Sequence, residues 1–396
     1  MQNNKIFSFC NIYIFLWIVY GLQSIIFGSY GTIYSRLVLA FLLTTSVYYF
    51  VYAIRHYKMS QYMKGLGWLV LMFTVYGVLI IIEPRRIGGT ANYVYLQYIY
   101  NSILPIYPFY VFARKGTLNI NNLKWWTVLF FVVATIQYFH HQQERLSLDT
   151  QGRDEFTNNF GYDILSLIPL LAFFSNRKIV QYVGLGYAMV FILLSMKRGA
   201  ILIGVICVIW FLYSSMKNTK NSSKFVVVIL SLITIVIGYF FVQYLMTTSD
   251  YFNYRLERTM EGDSSGRDDI YSTLWRYFVY QSDPASFLFG NGAKATIKII
   301  GQYAHNDWLE LAINQGVLGI FLYIVYWRGF YRARRKAKFN EDIFLAISLL
   351  FIINFIRSFF SMSYGDMSRY TTLCIGYCMG MISERERQIR SKQILS

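Results

Sequence analysis

Several residues in this sequence stand where their surroundings make them costly to keep. Arg198 belongs to a short turn, Lys197–Arg198–Gly199, that separates the apolar runs 191–196 and 200–213, and Arg357 lies inside the apolar run 351–360. Charges at membrane depth are expensive and face a bundle interior or a wet cavity. A guanidinium presents N–H donors in a planar fork that matches two phosphate oxygens at once. Together the arginines Arg198, Arg267, Arg357, Arg369 and Arg153 would form an anion-capturing set. His305 is a second focus. It precedes Asn306 and Asp307, with Glu310 three residues further on. That spacing resembles a capping box, which starts a helix at Asp307 and leaves His305 and Asn306 just before its N-terminus, where free N–H groups face anions. The plainer readings are that the arginines and Lys197 snorkel to an interface and that His305 only ends a loop. His140 and His141 read as interfacial residues and His56 as a cytoplasmic loop residue.

The elements that must position these residues are set by the solvent. Of 396 residues 56% are hydrophobic and 14% charged, against roughly a quarter charged in a soluble domain. Apolar runs of spanning length fall near 11–28, 37–54, 66–82, 93–113, 125–141, 161–175, 179–196, 199–216, 225–246, 314–331, 342–360 and 367–383. Strand-like alternation is absent from them. The expected fold is all-α, a polytopic membrane helical bundle of about twelve transmembrane helices forming a single membrane domain over 1–396.

Basic residues fix the expected orientation. Arg55, Lys58 and Lys64, then Arg114, Lys115 and Lys124, then Arg328 through Lys338 and Arg385 through Lys392 occupy alternate loops and the tail. Positive loops stay inside, so both termini are expected in the cytoplasm. Topology accounts for most of the net charge of +17 and leaves no reason to invoke nucleic acid. The first span lacks a small-residue cleavage site and reads as a retained helix. Cys10, Cys207, Cys374 and Cys378 lie in or beside spans and read as core filler, with no disulfide or zinc site indicated. One long segment, 247–313, is expected outside. Its balanced charges and its aromatics, including Trp275 and Phe278, suit amphipathic helices folded back on the membrane domain. Arg153, Arg198, Arg267, Arg357 and Arg369 are then outer basic residues, against the general bias.

The order Ser265–Gly266–Arg267, Trp275, Asp283–Pro284, Phe289–Gly290–Asn291–Gly292, Ala304–His305–Asn306, Leu309, Gly316 and Gly319 resembles the outer-loop pattern of the O-antigen ligase and Wzy-type polymerase superfamily. Met196–Lys197–Arg198–Gly199–Ala200 is similar to that family's Ser-Arg-Gly-Ala turn, with Lys197 where a serine is usual. The resemblance covers about 190–325.

What it implies is polymerisation of undecaprenyl-pyrophosphate-linked oligosaccharide repeat units at the outer face of a bacterial plasma membrane, or ligation of the finished glycan to lipid A core or a protein. Arg198 and Arg267 carry over as stabilisers of the leaving pyrophosphate, and His305 as the base that takes the acceptor proton. Asn306, Arg153, Arg357 and Arg369 are candidate substrate contacts. No metal or cofactor is implied; the partners implied are the lipid-linked oligosaccharide, membrane lipid, and chain-length regulator and flippase proteins. A repeat-unit flippase is the reading from another class. It would need no outer reaction centre.

Overall fold

The structure, a computed structural model, describes residues 8–82, 96, 98–147, 157–218, 221–262, 266–361, 363–364 and 367–395. Every regular element within them is helical. A helix that is apolar on all sides needs an apolar solvent or a protein interior. Helix Asn221–Thr248 is largely uncovered: Phe225, Leu232, Ile235 and Phe240 are all exposed. Such a surface belongs in lipid. Among the described residues four helices are long and apolar enough to cross a membrane, Ile33–His56, Arg198–Lys217, Lys224–Thr248 and Asp307–Phe339. The chain is a helical membrane protein.

The twelve apolar runs fall on helical segments where they are described, but not all are single α-helices as the spans read from sequence would require: the run at 11–28 divides at Leu22 into Phe9–Gly21 and Gln23–Phe27, and two others lose α-helical geometry. The run at 93–113 is π-helical over Tyr98–Ile103 and restarts after Pro105 as Ile106–Arg114. The run at 161–175 is an α-turn, Gly161–Leu165, followed by a 3-10 helix, Ile168–Phe174, with proline in its first turn. Proline removes a donor and clashes with the preceding turn. Both stretches lie in the protein interior, the setting in which irregular backbone is tolerated at membrane depth. Neighbours supply the missing partners: Gln181 Nε2 donates to the Leu171 carbonyl at 3.0 Å, and Thr372 Oγ1 donates to the Ser102 carbonyl at 3.5 Å. Helix Arg369–Leu395 lies along Ile106–Arg114. A Cβ at Gly376 would stand 2.5 Å from the Phe109 Cβ, and one at Gly380 2.7 Å from the Tyr110 carbonyl oxygen. This is a small-xxx-small contact. The four cysteines are buried and free.

Between Thr248 and Asp307 the chain forms short helices, Asp250–Met260, Arg267–Arg276, Pro284–Phe289 and Ala295–Ile300. Asp283 caps the third, accepting from the Ala285 and Ser286 N–H groups at 3.0 and 3.1 Å, with proline at the position where a missing N–H is harmless. The Ser286 hydroxyl and the backbone donors hold this exposed carboxyl below its ordinary range. Ile270, Leu274 and Phe278 bury against Ala295, Ala304, Ala312 and Ile313. A second, smaller core is thereby seated on the helix that begins at Asp307.

That helix, Asp307–Lys336, breaks at Gly316, where φ is 66° and ψ −159°. Gly290 faces it with φ 78° and ψ −179°. Both conformations belong essentially to glycine. A Cβ at Gly316 would lie 2.6 Å from the Gly290 nitrogen, and one at Gly290 would lie 2.3 Å from the Asn314 carbonyl carbon. The Asn291 and Gly292 N–H groups donate to the Ile313 and Asn314 carbonyls at 2.9 and 3.0 Å. The loop thus fills the break, and the break fixes the height at which the residues before it are held.

Candidate functional site

His305 is two residues ahead of that helix. Its backbone is left-handed, φ 52°, a conformation that costs a non-glycine residue on the order of 1–3 kcal/mol and persists only where its surroundings impose it. The Tyr271 hydroxyl supplies part of that constraint, lying 3.3 Å from the His305 carbonyl and 3.1 Å from the Phe359 carbonyl. Asn306 Nδ2 donates to the same Phe359 carbonyl at 3.1 Å. The residue as a whole remains exposed, while its imidazole is partly desolvated by its neighbours.

The helix does begin at Asp307, but not through the expected capping box. Asn306 is the cap: its Oδ1 accepts from the Trp308 and Leu309 N–H groups at 2.9 and 3.2 Å. With those donors satisfied, the two carboxylates turn inward. Asp307 accepts from the Tyr323 hydroxyl at 2.7 Å, from the Ser363 N–H at 2.7 Å and from the Ser363 hydroxyl. Glu310 accepts from the Ala304 N–H at 2.7 Å, from Thr296 Oγ1 and from Asn314 Nδ2 at 2.9 Å. Asp307 donates its own N–H to the Ser358 carbonyl at 2.8 Å. The helix end therefore presents no free first-turn N–H at Asp307, Trp308 or Leu309, and the expected backbone anion site there is not formed. Glu310 and Asp307 are braces for the loop carrying His305.

Arg267 starts helix Arg267–Arg276 after the left-handed Gly266; Tyr271, four residues on, shares its face. Arg198 starts helix Arg198–Asn218. The turn before it is drawn tight by Met196, φ 51°, and by Ser195, whose carbonyl accepts from the Asn158 N–H at 2.8 Å. Gly199 presses on the Tyr162 hydroxyl and the Phe360 ring, so closely that a Cβ would stand 2.3 Å from the former. Arg357 is buried, which removes the snorkelling reading for it, and its guanidinium lies 4.6 Å from the centre of the Tyr162 ring. Its charge also acts on the buried Asp307. Lys197 and Arg198 are half-buried.

These positions converge. Desolvation first, then the positive charges of Arg267 and Lys197, hold the His305 imidazole below its ordinary 6.5. The charges of Arg357 and Arg267 both act on the Tyr162 hydroxyl, beside which Gly199 sets the start of the Arg198 helix. Charge interactions thereby join His305 to Arg267 and Lys197 and Tyr162 to Arg357 and Arg267, Arg357 stacks over Tyr162, and Asn306 and Tyr271 share the Phe359 carbonyl, while Arg198 follows Lys197 at the start of its helix. Arg369 is elsewhere: it lies 5.9 Å from the Tyr20 ring and lines a separate cavity. Arg153 falls outside the described residues, as does Ser265. Neither tyrosine was singled out by sequence. Tyr271 could have been, from its spacing to Arg267; Tyr162 is one of 35 tyrosines and carries no local signal.

Cations gathered at one imidazole create a local positive field that favours an anion, while keeping the imidazole neutral and able to accept a proton. Residues 183–324 match the family described as O-antigen ligase, which bears out the resemblance over nearly the stretch from which it was read. The matched stretch spans Lys197, Arg198, Arg267, Tyr271, His305 and Asn306, and stops short of Arg357 and Arg369. No curated protein matches the chain.

Proposed function

We propose that this protein polymerises undecaprenyl-pyrophosphate-linked oligosaccharide repeat units at the outer face of a bacterial plasma membrane. The observation that carries the reading is the neutral-leaning His305 set beside Arg267 and Lys197 within a stretch matching the O-antigen ligase family. A sugar hydroxyl of the acceptor attacks the anomeric carbon of the donor. The new carbon–oxygen bond forms as the bond to the pyrophosphate oxygen breaks. His305 takes the hydroxyl proton, and the electron pair leaves with the pyrophosphate, whose growing charge Arg267, Arg198 and Lys197 offset. Arg357 supports Tyr162 and balances Asp307 behind them. With the twelve spans and cytoplasmic termini read from the charge pattern of the sequence, this cluster would lie outside, where lipid-linked repeat units are presented.

A single reconstitution separates this reading from its rivals. Purified protein in vesicles is given a lipid-linked repeat unit. A polymerase converts it to a ladder of longer lipid-linked glycans. A ligase leaves its length unchanged until lipid A core is added and then moves the glycan to it, and a flippase changes only its leaflet. Absence of a ladder, with either rival outcome in its place, overturns the proposal.

A further inference from the structure

The cavity that takes Arg369 is built at the same end of the bundle as the His305 cluster but from other elements. Its walls come from the end of helix Phe9–Gly21 with the short helix Gln23–Phe27 that follows it, the C-terminal turns of Ile120–Ser147, the short helix Gly161–Leu165 and the start of Arg369–Leu395. Charge alternation puts all four of these ends on the outer side. The cavity measures about 190 Å³, below the roughly 300–1,000 Å³ of pockets for drug-sized ligands.

Its chemistry is unlike that of the cluster. Arg369 lines it together with two carboxylates, Glu144 and Asp163, and with Gln137, His140 and the aromatic Phe160. Two carboxylates against one guanidinium disfavour an anion, so a pyrophosphate is the wrong occupant. Carboxylate and amide oxygens that accept, a guanidinium that donates, and a ring to pack against suit a neutral ligand with many hydroxyls on one apolar body. Gln137 is already oriented, its Nε2 donating to the Gly21 carbonyl at 2.8 Å and its Oε1 accepting from the Tyr370 hydroxyl at 3.2 Å.

The wall between the two sites is one turn of helix. Phe160 and Asp163 line the cavity, while Tyr162 between them packs under Arg357. Asn158, fully buried, locks this turn from both sides: its N–H donates to the Ser195 carbonyl, just before Lys197 and Arg198, and its Nδ2 donates to the Tyr138 carbonyl and to Gln142 Oε1 at 3.2 Å each. A sugar held in the cavity would thus lie one helical turn from the reacting cluster. We infer that the cavity at Arg369, Asp163 and Glu144 is a binding subsite for a neutral or N-acetylated pyranose ring of the glycan. The inference rests on the glycan-transfer reading, and it assigns sugar recognition and pyrophosphate recognition to different residues.

That division is what the test reads. The full-length protein in nanodiscs is titrated with methyl α-glucopyranoside and methyl N-acetylglucosaminide, followed by saturation transfer from protein to sugar, and separately with inorganic pyrophosphate, followed by phosphorus line width. Glu144→Gln and Asp163→Asn preserve shape and remove charge. Each is expected to cut the sugar signal at least five-fold while leaving pyrophosphate broadening unchanged, and Arg267→Lys is expected to do the reverse. Sugar binding that is absent from the wild type, or unchanged in both carboxylate variants, overturns the subsite. Pyrophosphate broadening insensitive to Arg267→Lys would count against the glycan-transfer reading instead, so the two failures are distinct.

Discussion

The Tyr271 hydroxyl lies 3.3 Å from the main-chain carbonyl of His305, so a residue four positions after Arg267 holds the backbone of the candidate base. Tyr271→Phe deletes that contact and the one to Phe359 without emptying space. A typical hydrogen bond contributes about 0.5–1.5 kcal/mol. The expected result is a rate lowered roughly 2- to 13-fold, with the amount of inserted protein unchanged. Steady-state kinetics normalised to membrane-inserted protein checks it. An unaltered rate would mean that His305 is held without Tyr271.

Arg267 is expected to serve both as a fork for phosphate oxygens and as a charge on His305. Arg267→Lys keeps the charge and loses the fork; at about 1.5–3 kcal/mol for a hydrogen bond to a charged group, the expected loss of rate is roughly ten- to a hundred-fold. Arg267→Gln also removes a positive charge that lowers the His305 pKa, so its imidazole gains a proton at higher pH. Activity that requires neutral His305 falls as pH drops through that pKa, and the acid limb of the pH profile should move upward in Arg267→Gln and stay in place in Arg267→Lys. A limb fixed in both variants would separate Arg267 from His305.

The paired glycines make a stability prediction. Gly316→Ala places a Cβ 2.6 Å from the Leu288 carbonyl and the Gly290 nitrogen, in a backbone conformation that costs a non-glycine residue on the order of 1–3 kcal/mol. Gly186, inside a helix and with nothing within 4 Å of an added Cβ, serves as the control. Thermal melting in detergent should drop for Gly316→Ala and hold or rise for Gly186→Ala. Equal melting of the two variants contradicts the role given to the kink.

Orientation is testable without activity. Lys298 in helix Ala295–Ile300 and Arg335 near the end of the kinked helix are both exposed, and the native cysteines are buried. With cysteine at 298, an impermeant maleimide should label intact cells; with cysteine at 335, it should label only after permeabilisation. Labelling of both from outside contradicts the topology.

Much of this was legible in the sequence because the signals were local. The helix start at Asp307 and the turn at Lys197–Arg198–Gly199 each follow from neighbours a few residues away, whereas Gly290 and Gly316 were named only as parts of the family pattern and their mutual approach joins distant stretches of the chain. What was misread depended on competition or on distance. Asn306 outcompeted the carboxylates for the helix cap, which sent Asp307 to Ser363 and Glu310 to Thr296, partners far enough along the chain that no spacing rule points to them. Pro105 and Pro169 mark breaks that hydropathy averages over, because a buried broken helix is as apolar as an intact one. Arg357 and Arg369 looked alike as outer arginines. The short helix Gly161–Leu165 carries both Tyr162, over which Arg357 lies, and Asp163, which lines the same cavity as Arg369.

The central claim is that His305 accepts the acceptor proton, and His305→Gln tests it most directly, since glutamine keeps hydrogen bonding but cannot take a proton at neutral pH. The measurement is the chain-length distribution of lipid-linked glycan per unit of membrane-inserted protein. A general base contributes on the order of 10²–10⁴ in rate, so the variant should accumulate single lipid-linked repeat units while still binding donor through Arg267 and Arg198. Near-normal long chains from His305→Gln would contradict the account and leave His305 as a positioning residue.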